Sequence, residues 1–443
     1  MKRLLRSTVG SALLTIATMM ATAPAAFAGP AACVDLFVAP SVQSAAVRAV
    51  VIEDGYKQWM IWEQTANVPM FLKSQEPIDV PLVEMAADLV TIKTTPDAPP
   101  ELINQFRTAD GNIYWPKHPY NTHEKVPFKD LPADDQLPAY LTSSRSLALD
   151  GKLRGFTIKL ATDHPHGPGG ERQVGKIKTN DDIDSALVHT KHMQKVDHVM
   201  GADEKVLTLG EVMTMAEKKT GIGMVVRDVR LLNDGNYYLP ALSIPYVGRE
   251  IAALNGVPFD QFFKTYYAEL LGEAKARILL RYGLQMLTPN AQNMLIQFDR
   301  DMKPTGKIVF RDISDAYLVD AVATGLGYSG QIARDNVVEY PPVEEIKPFW
   351  SNSSWRFDEA GTKAVSKATL NSWAAAHNRA YIGYIEKALG LNLDIRDSLL
   401  ERDDFPGVYK ALASDIGQKK LRMYRDRMIK AEKARRLSEQ PAA

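Results

Sequence analysis

The sequence predicts an α+β fold with an antiparallel hairpin at its centre and a mainly helical C-terminal region. Three stretches carry that expectation. In FFKTYYAELLGEAKARILLRYG, residues Phe263, Tyr267, Leu270, Leu271, Ala274, Ile278 and Tyr282 recur at three- and four-residue steps, the spacing of one apolar helix face, and Gly283 ends the run. Two strand-like runs follow, NMLIQFD (Asn293 to Asp299) and KIVFRD (Lys307 to Asp312). The intervening Arg300 to Gly306 carries Pro304 and Gly306, so the runs are expected to pair as a hairpin. Beyond Asp315, LVDAVATGLGY, SWAAAHNRAYIGYIEKALGL and DIGQKKLRMYRDRMIKAEKARRL all have helical periodicity.

Antiparallel pairing places Asn293, at the start of one strand, beside Asp312, at the end of the other. Gln292, Asn293, Arg311 and Asp312 then share one end of an apolar hairpin. Two readings of that end stand together. Polar groups at strand ends are commonly just solvated; equally, a carboxylate and an amide oxygen on rigid backbone can hold Mg²⁺ and, through it, nucleotide phosphates.

The N-terminus has the three parts of an export signal. Lys2, Arg3 and Arg6 form a basic segment, VGSALLTIATMMA an apolar one, and Ala26-Phe27-Ala28 a small-x-small cleavage site. Residues 1–28 are therefore read as a signal peptide, with periplasmic or secreted localisation. An uncleaved anchor is the alternative, although the apolar run is short for a membrane span. Cys33 is the single cysteine, which excludes an intrachain disulfide. The chain has 45% hydrophobic and 24% charged residues and a formal net charge of +0, a balance that argues against a broad nucleic-acid surface.

In the N-terminal half, AAVRAVVIEDGYKQWMIWEQ suggests two strands turning at Asp54-Gly55, PLVEMAADLVTI a short helix or strand, and TTPDAPP a loop. Further on, Ser143, Arg145 and Ser146 precede a strand, GFTIKL, that carries Lys159; fixed charge and hydroxyl donors of this kind suit a polyphosphate. Each residue alone reads equally well as a surface ion pair or a capping hydroxyl. The loop TDHPHGPGGERQVGKIKT, 162–179, is rich in glycine and basic residues but is no Walker A loop. His189 and His192 share a helix face and read as partly exposed rather than metal-ligating. GIGMVVRDVRLLNDGNYYLPALSI reads as a hairpin turning at Asn233-Asp234-Gly235.

YGLQMLTPNAQNMLIQFD…KIVFRDISDA resembles the ATP-site segment of the synthetases that build siderophores without a non-ribosomal peptide synthetase, the aerobactin-synthetase-like family. Its pattern there is "YGI-x-x-EAHGQN-x-L" followed by a strand ending in "RD". Gln292, Asn293, Arg311 and Asp312 match, whereas Thr288 and Asn290 stand where the family has Glu and His. The ordered elements WPKHPY (115–120), Thr142 to Ser146, Lys159-Leu160 and Thr179-Asn180 are similar to other family elements, with Ile183 replacing an arginine; Arg227 matches the arginine of a "REP" strand.

The resemblance covers the chain from about Tyr114 onward and implies a synthetase-like palm that uses ATP and Mg²⁺. It assigns phosphate contacts and catalysis to Arg145, Lys159 and Arg311, nucleotide contacts to Ser143, Ser146, Thr179, Gln292 and Asn293, and metal to Asn293 and Asp312. His377 and Arg379 fall in the region where the family binds its carboxylate. The implied partners are a small-molecule carboxylate and an amine or hydroxyl substrate, with no nucleic acid and no stable membrane span; a homo-oligomer is left open. The expected layout is a signal peptide (1–28), an N-terminal α/β segment (29–110), a central β-rich nucleotide-binding part (111–250) and a C-terminal hairpin with helices (251–443). If the signal is cleaved, N-terminal sequencing of the protein from its native host returns Gly29 as the first residue; an intact Met1 on cytoplasmic protein would refute export.

Overall fold

The computed structural model describes residues 44–67, 76–119, 129–130, 136–143, 145–161, 180–219, 222–286, 291–332, 337–338, 365–393 and 405–439. The signal-peptide reading, Thr288, Asn290 and the whole of the 162–179 loop, Thr179 included, lie outside these residues.

The segment around Asp54-Gly55 is helical rather than a strand pair. A short α1 (Ala45–Arg48) leads to α2 (Gly55–Asn67), and Asp54 starts the latter by accepting the backbone N–H groups of Tyr56 and Lys57, both at 3.1 Å. An Asp-Gly pair serves as a helix cap when the following residues, here Tyr56, Trp59, Met60 and Trp62, have an apolar surface on which to pack as a helix.

The chain then builds β1 (Ile78–Met85), β2 (Val90–Thr94), the short α3 (Pro100–Gln105), β3 (Ile113–Pro116), β4 (Lys129–Asp130), β5 (Gln136–Leu141), β6 (Ser146–Leu149) and β7 (Phe156–Leu160). After α4 (Asn180–Met200) come β8 (Val206–Thr208), β9 (Glu211–Glu217), β10 (Gly223–Asp228) and β11 (Tyr237–Pro240). Among the described residues a nine-stranded sheet runs β2-β9-β10-β7-β6-β5-β1-β3, with β4 also on β1, and every pairing in it is antiparallel.

Alternation gives this sheet two unlike faces. Phe156, Ile158 and Leu160 of β7 join Met224 and Val226 of β10 in an apolar layer that also takes Leu102 and Phe106. Thr157, Lys159, Val225 and Arg227 therefore face the other way.

β10 and β11 do not form the expected hairpin. A 3₁₀ turn, Arg230–Asn233, separates them, and β11 leaves to pair with a different sheet, ordered β11-β13-β14-β8. The turn chemistry at Asn233-Asp234-Gly235 is real, with Gly235 at φ +85°, but it hands the chain from one sheet to the next.

The expected long helix consists of α6 (Phe259–Phe263), a π-helical stretch Lys264–Glu269 and α7 (Leu270–Tyr282), preceded by α5 (Ile244–Leu254). Gly283 closes it at φ +70°. After a two-residue β12 (Leu284–Gln285), the expected hairpin is present as β13 (Met294–Phe298) and β14 (Pro304–Phe310). Its turn is shorter than the sequence suggested, because Asp299 accepts the N–H groups of Asp301 and Lys303, both at 2.9 Å. Met294, Ile296, Ile308 and Phe310 lie against the helices, while Leu295 and Val309 pack on Trp59 of α2 and Ala148 of β6. The hairpin is thus held between the helices and the polar face of the large sheet.

β15 (Tyr317–Val319), α8 (Asp320–Leu326) and the helices Lys367–Leu389, Phe405–Ala413 and Asp415–Ser438 complete the helical C-terminal region. His189 and His192 lie on α4 as expected but are buried, at 0% and 3% exposure, because that face of the helix packs inward. Residues Gln43–Ala443 form one unit. No described helix is long and apolar enough to cross a membrane.

The approach of α7 to the Lys367–Leu389 helix depends on Gly272, where a Cβ would meet the carbonyl oxygen of His377. Gly272→Ala is expected to destabilise the protein by about 1–3 kcal/mol in equilibrium denaturation. Gly383→Ala, on the exposed side of the same C-terminal helix with open space around it, is expected to stabilise it by about 0.5–1 kcal/mol.

Candidate active site

Strand pairing alone brings together residues far apart in the sequence. Ser146 lies directly opposite Lys159 on β6 and β7, and Lys159 lies opposite Val225 on β10. The Ser143 hydroxyl accepts the Ser146 N–H at 3.2 Å, which shapes the turn before β6. Arg145 sits in that turn, half-buried, with its carbonyl accepting the Leu160 N–H at 3.0 Å. Ser143, Arg145, Ser146 and Lys159 are therefore neighbours along one end of the large sheet.

The hairpin meets them from the second sheet. The Arg311 N–H donates to the Asn293 carbonyl at 3.0 Å, so Asn293 and Arg311 continue the ladder past Met294 and Phe310. Asn293 sits in a 3₁₀ turn (Ala291–Asn293) rather than in the strand, next to the half-buried Gln292. Continued strand geometry would turn Asp312 to the side of Ile308 and Phe310, into the helical core. Instead Asp312 adopts φ 56°, ψ 48°, a left-handed conformation that costs a non-glycine residue on the order of 1–2 kcal/mol. The twist delivers its carboxylate to the polar face of the large sheet.

There it meets two cations. Arg227 of β10 donates through Nη2 to Asp312 Oδ1, and Lys159 Nζ lies 3.4 Å from the same oxygen. Arg227 also binds Glu211 of β9, at 2.9 Å through Nη2 and 3.2 Å through Nε. Arg227, Glu211 and Asp312 are all buried, whereas the Lys159 side chain is 29% exposed and opens the cluster to solvent.

Burial by itself would raise the Asp312 carboxyl, but the charges of Arg227, Lys159 and Arg311 outweigh it and hold the group well below its ordinary value of 3.8. Glu211 behaves in the opposite way: burial pushes it up, and Arg227 offsets that only in part while Asp312 adds repulsion. One guanidinium shared by two buried carboxylates satisfies Asp312 more fully than Glu211, whose Oε2 has no hydrogen-bond partner among the described residues.

Arg311 is engaged separately. Its Nη1 lies 2.6 Å from Glu63 Oε1 and its Nη2 donates to Glu63 Oε2 at 3.0 Å, a two-pronged buried pair that also takes the Trp59 indole N–H at 3.0 Å. Three further bonds fix α2, which carries Glu63: Tyr56 to the Leu149 carbonyl at 3.3 Å, Tyr237 to that of Ile52 at 2.9 Å, and Ser243 to that of Trp62 at 2.6 Å. Sequence reasoning gave Arg311 to phosphate and omitted Glu63 and Glu211. The signal for Glu63 was an acid inside the aromatic run WMIWEQ, which only a buried cation explains once that run is a helix.

Behind the cluster, α4 packs on β9 and on the Ile313–Asp315 turn. Burial, together with the charge of His192, lowers the His189 ring to about 4, so it is neutral at pH 7. Of the two residues that the resemblance placed in the carboxylate-binding region, His377 is fully buried and Arg379 is exposed.

An octahedral Mg²⁺ takes one or two protein oxygens and completes its shell with phosphate and water. The site fits that demand. Asn293 is 4% exposed and its Oδ1 has no hydrogen-bond partner among the described residues, and Asp312 is an ionised carboxylate at the same hairpin end. Among the described residues no group of three or more His, Cys, Asp or Glu forms a cage for a metal held by protein alone.

An antiparallel palm, a crossing hairpin and a cation-lined carboxylate at their junction define the α+β architecture. The structural comparison gives it a class: the chain has the fold of the NRPS-independent siderophore synthetases. The aerobactin synthetase IucC from a hypervirulent pathotype of Klebsiella pneumoniae superposes with a TM-score of 0.52 at 12% identity, over 76% of this chain and 70% of that one. Two others fall just lower. Aerobactin synthetase IucA from the same pathotype has a TM-score of 0.48 at 15% identity over 70% of this chain, which spans only 62% of IucA. The petrobactin biosynthesis protein AsbB from Bacillus anthracis str. Sterne has 0.49 at 11% identity, over 84% and 72% of the two chains. No family model matches the chain, and no curated protein does.

Arg227→Met leaves two buried carboxylates facing each other and is expected to cost about 3–5 kcal/mol in denaturant unfolding at pH 7. Because Asp312 is held below its ordinary value, its ion pairs contribute fully above about pH 4 and are lost as the pH falls below that. Wild-type protein should therefore lose stability from pH 5 to pH 3 more steeply than Asp312→Asn; parallel curves would disprove the assignment.

Proposed function

We propose that this chain is an ATP- and Mg²⁺-dependent carboxylate ligase of the siderophore-synthetase type, with its nucleotide site at the junction of Lys159, Arg227, Asn293 and Asp312. One observation carries the reading: Lys159 and Asp312, 153 residues apart and each assigned to the site from sequence, meet across two sheets at a carboxylate held in a strained conformation. Backbone strain of this kind persists where the surroundings enforce it and concentrates at functional positions.

In this reading the half-exposed Lys159 ammonium receives phosphate oxygens first, because it alone of the cluster's cations reaches solvent. Arg227 lies behind it, and an incoming polyphosphate competes with Asp312 for its donors. Asp312 and the Asn293 Oδ1 are the oxygens that would hold the metal, which would supply positive charge to offset that of the phosphates. Glu63 keeps Arg311 in place as a fixed positive charge beside them. A carboxylate oxygen of the acid substrate attacks the α-phosphorus and pyrophosphate departs. An amine or hydroxyl then attacks the acyl carbon and AMP departs, the proton of the nucleophile passing to solvent or a nearby base.

A second reading, an exported binder of a metabolite or siderophore without chemistry, is favoured by Thr288 and Asn290 and by the signal sequence, which would send the chain where ATP is scarce. Calorimetry with ATP and Mg²⁺ tests the nucleotide site. Saturable, metal-dependent binding is expected, weakened at least tenfold by Lys159→Ala or Asp312→Ala. No binding at millimolar nucleotide by folded protein would discard it. Binding without AMP release in the presence of a polycarboxylate such as citrate and an amine would favour the binder.

A further inference from the structure

The C-terminal helix Asp415–Ser438 is fixed in rotation by its inner face. Leu421 and Tyr424 are buried in the helical core, and Met428 and Ile429 are partly buried against it. The Gln418 and Arg425 side chains donate to the carbonyls of Ala321 and Leu326, at 2.6 and 3.1 Å. The opposite side therefore faces outward along the whole helix, 24 residues or about 36 Å. Among the described residues five large apolar side chains are exposed, and three of them, Ile416, Met423 and Leu437, stand on this side at 66%, 56% and 70% exposure. They follow one another by seven and fourteen residues, two and four turns, and so form one slowly drifting row.

Cations flank that row. Lys419, Arg422, Lys430 and Lys433 are all exposed, and none of them forms an ion pair among the described residues. The acids of the helix are engaged elsewhere. Glu432 holds Arg435 and Arg436 at 2.7–2.8 Å, Glu439 holds Arg435 at 2.6 Å, and Asp426 holds Arg425 at 3.0 Å. Asp415 lies in the first turn, where the helix dipole favours an acid. The pattern separates three kinds of partner. A second helix would need apolar residues three or four positions after Ile416 and Met423, where the chain has Lys419, Lys420, Asp426 and Arg427. A nucleic acid would take the cations and leave the apolar row in water. The headgroup zone of an anionic bilayer takes both, since long basic side chains reach phosphates while apolar tips enter the acyl boundary.

We propose that the outward face of this helix docks on a membrane surface of anionic phospholipid, with the helix lying parallel to the plane. Lys419, Arg422, Lys430 and Lys433 meet headgroup phosphates, and Ile416, Met423 and Leu437 insert between the headgroups. Charge supplies most of the attraction, and the apolar row distinguishes lipid from other polyanions. The docking is peripheral and does not rest on the nucleotide-site reading.

The test is co-sedimentation of the full chain with vesicles of equal parts phosphatidylglycerol and phosphatidylcholine, against vesicles of phosphatidylcholine alone. The anionic vesicles are expected to bind, and less so as salt rises, because the screening length falls from about 10 Å at 0.1 M to about 3 Å at 1 M. Each Lys or Arg near such a surface changes partition about fivefold, so Lys419→Gln with Lys430→Gln should weaken binding at least about tenfold. Met423→Ser with Leu437→Ser should weaken it about threefold or more and leave retention on heparin unchanged. All four positions are exposed, so the melting temperature should not move. The apolar N-terminal segment is the same in every variant, so the differences report on the helix. The proposal is overturned if anionic vesicles bind no better than phosphatidylcholine, or if binding survives the lysine pair. It is equally overturned if the lysine pair abolishes vesicle and heparin binding in parallel while the apolar pair changes neither, which would assign the face to polyanions in general.

Discussion

The structure turns on a single carboxylate that is in the wrong place for its strand. Asp312 follows a β-strand whose alternation would bury it among Ile308, Phe310 and the helices, and one left-handed residue redirects it to the opposite sheet. The strain is tolerable because the destination offers Arg227 and Lys159, whose charges exceed the desolvation that burial imposes. This contact ties a hairpin from the second sheet to strands β7 and β10 of the first. The residue that sets the site's charge is thus also the clasp between the two layers.

A second buried pair keeps the clasp in register. Glu63 and Arg311 join α2 to the residue just before Asp312, and α2 is itself tied down by the Tyr56 hydroxyl on the Leu149 carbonyl and by the Ser243 and Tyr237 hydroxyls on the carbonyls of Trp62 and, just before the helix, Ile52. Leu295, Val309, Trp59 and Ala148 exclude water around that junction. In a low-dielectric setting, removing either partner strands a charge, so the position of α2 and the conformation of the hairpin end constrain each other. Arg227 is shared by two carboxylates and Arg311 is matched by one, and of the cations at this junction the partly exposed Lys159 is the one with most access to solvent.

Much of this was legible residue by residue. The hairpin was visible because NMLIQFD and KIVFRD alternate between one apolar and one mixed face, and Lys159 because GFTIKL sets Phe, Ile and Leu against Thr and Lys. The errors share a cause. Asp54-Gly55 and Asn233-Asp234-Gly235 both have turn chemistry, and the sequence read each as a hairpin. Local chemistry specifies that the chain bends, whereas the sheet or helix on the far side of the bend depends on which apolar surface is waiting there. His189 and His192 looked half-exposed because their helix has polar neighbours in sequence; in space Ser314 of the Ile313–Asp315 turn lies against His189, and Tyr282 and Tyr328 lie against His192.

By itself, then, the amino-acid sequence determined the α+β class and the positions of the hairpin and the C-terminal helices, because these follow from periodicity and side-chain chemistry over short distances. Only the tertiary structure decided the pairings: Arg227 shared between Glu211 and Asp312, and Arg311 committed to Glu63. Those depend on charges meeting across 16 to 248 positions of chain, and on a left-handed backbone torsion at Asp312. Long-range contacts of that kind are fixed by the packing of two sheets against each other, which a single sequence does not display.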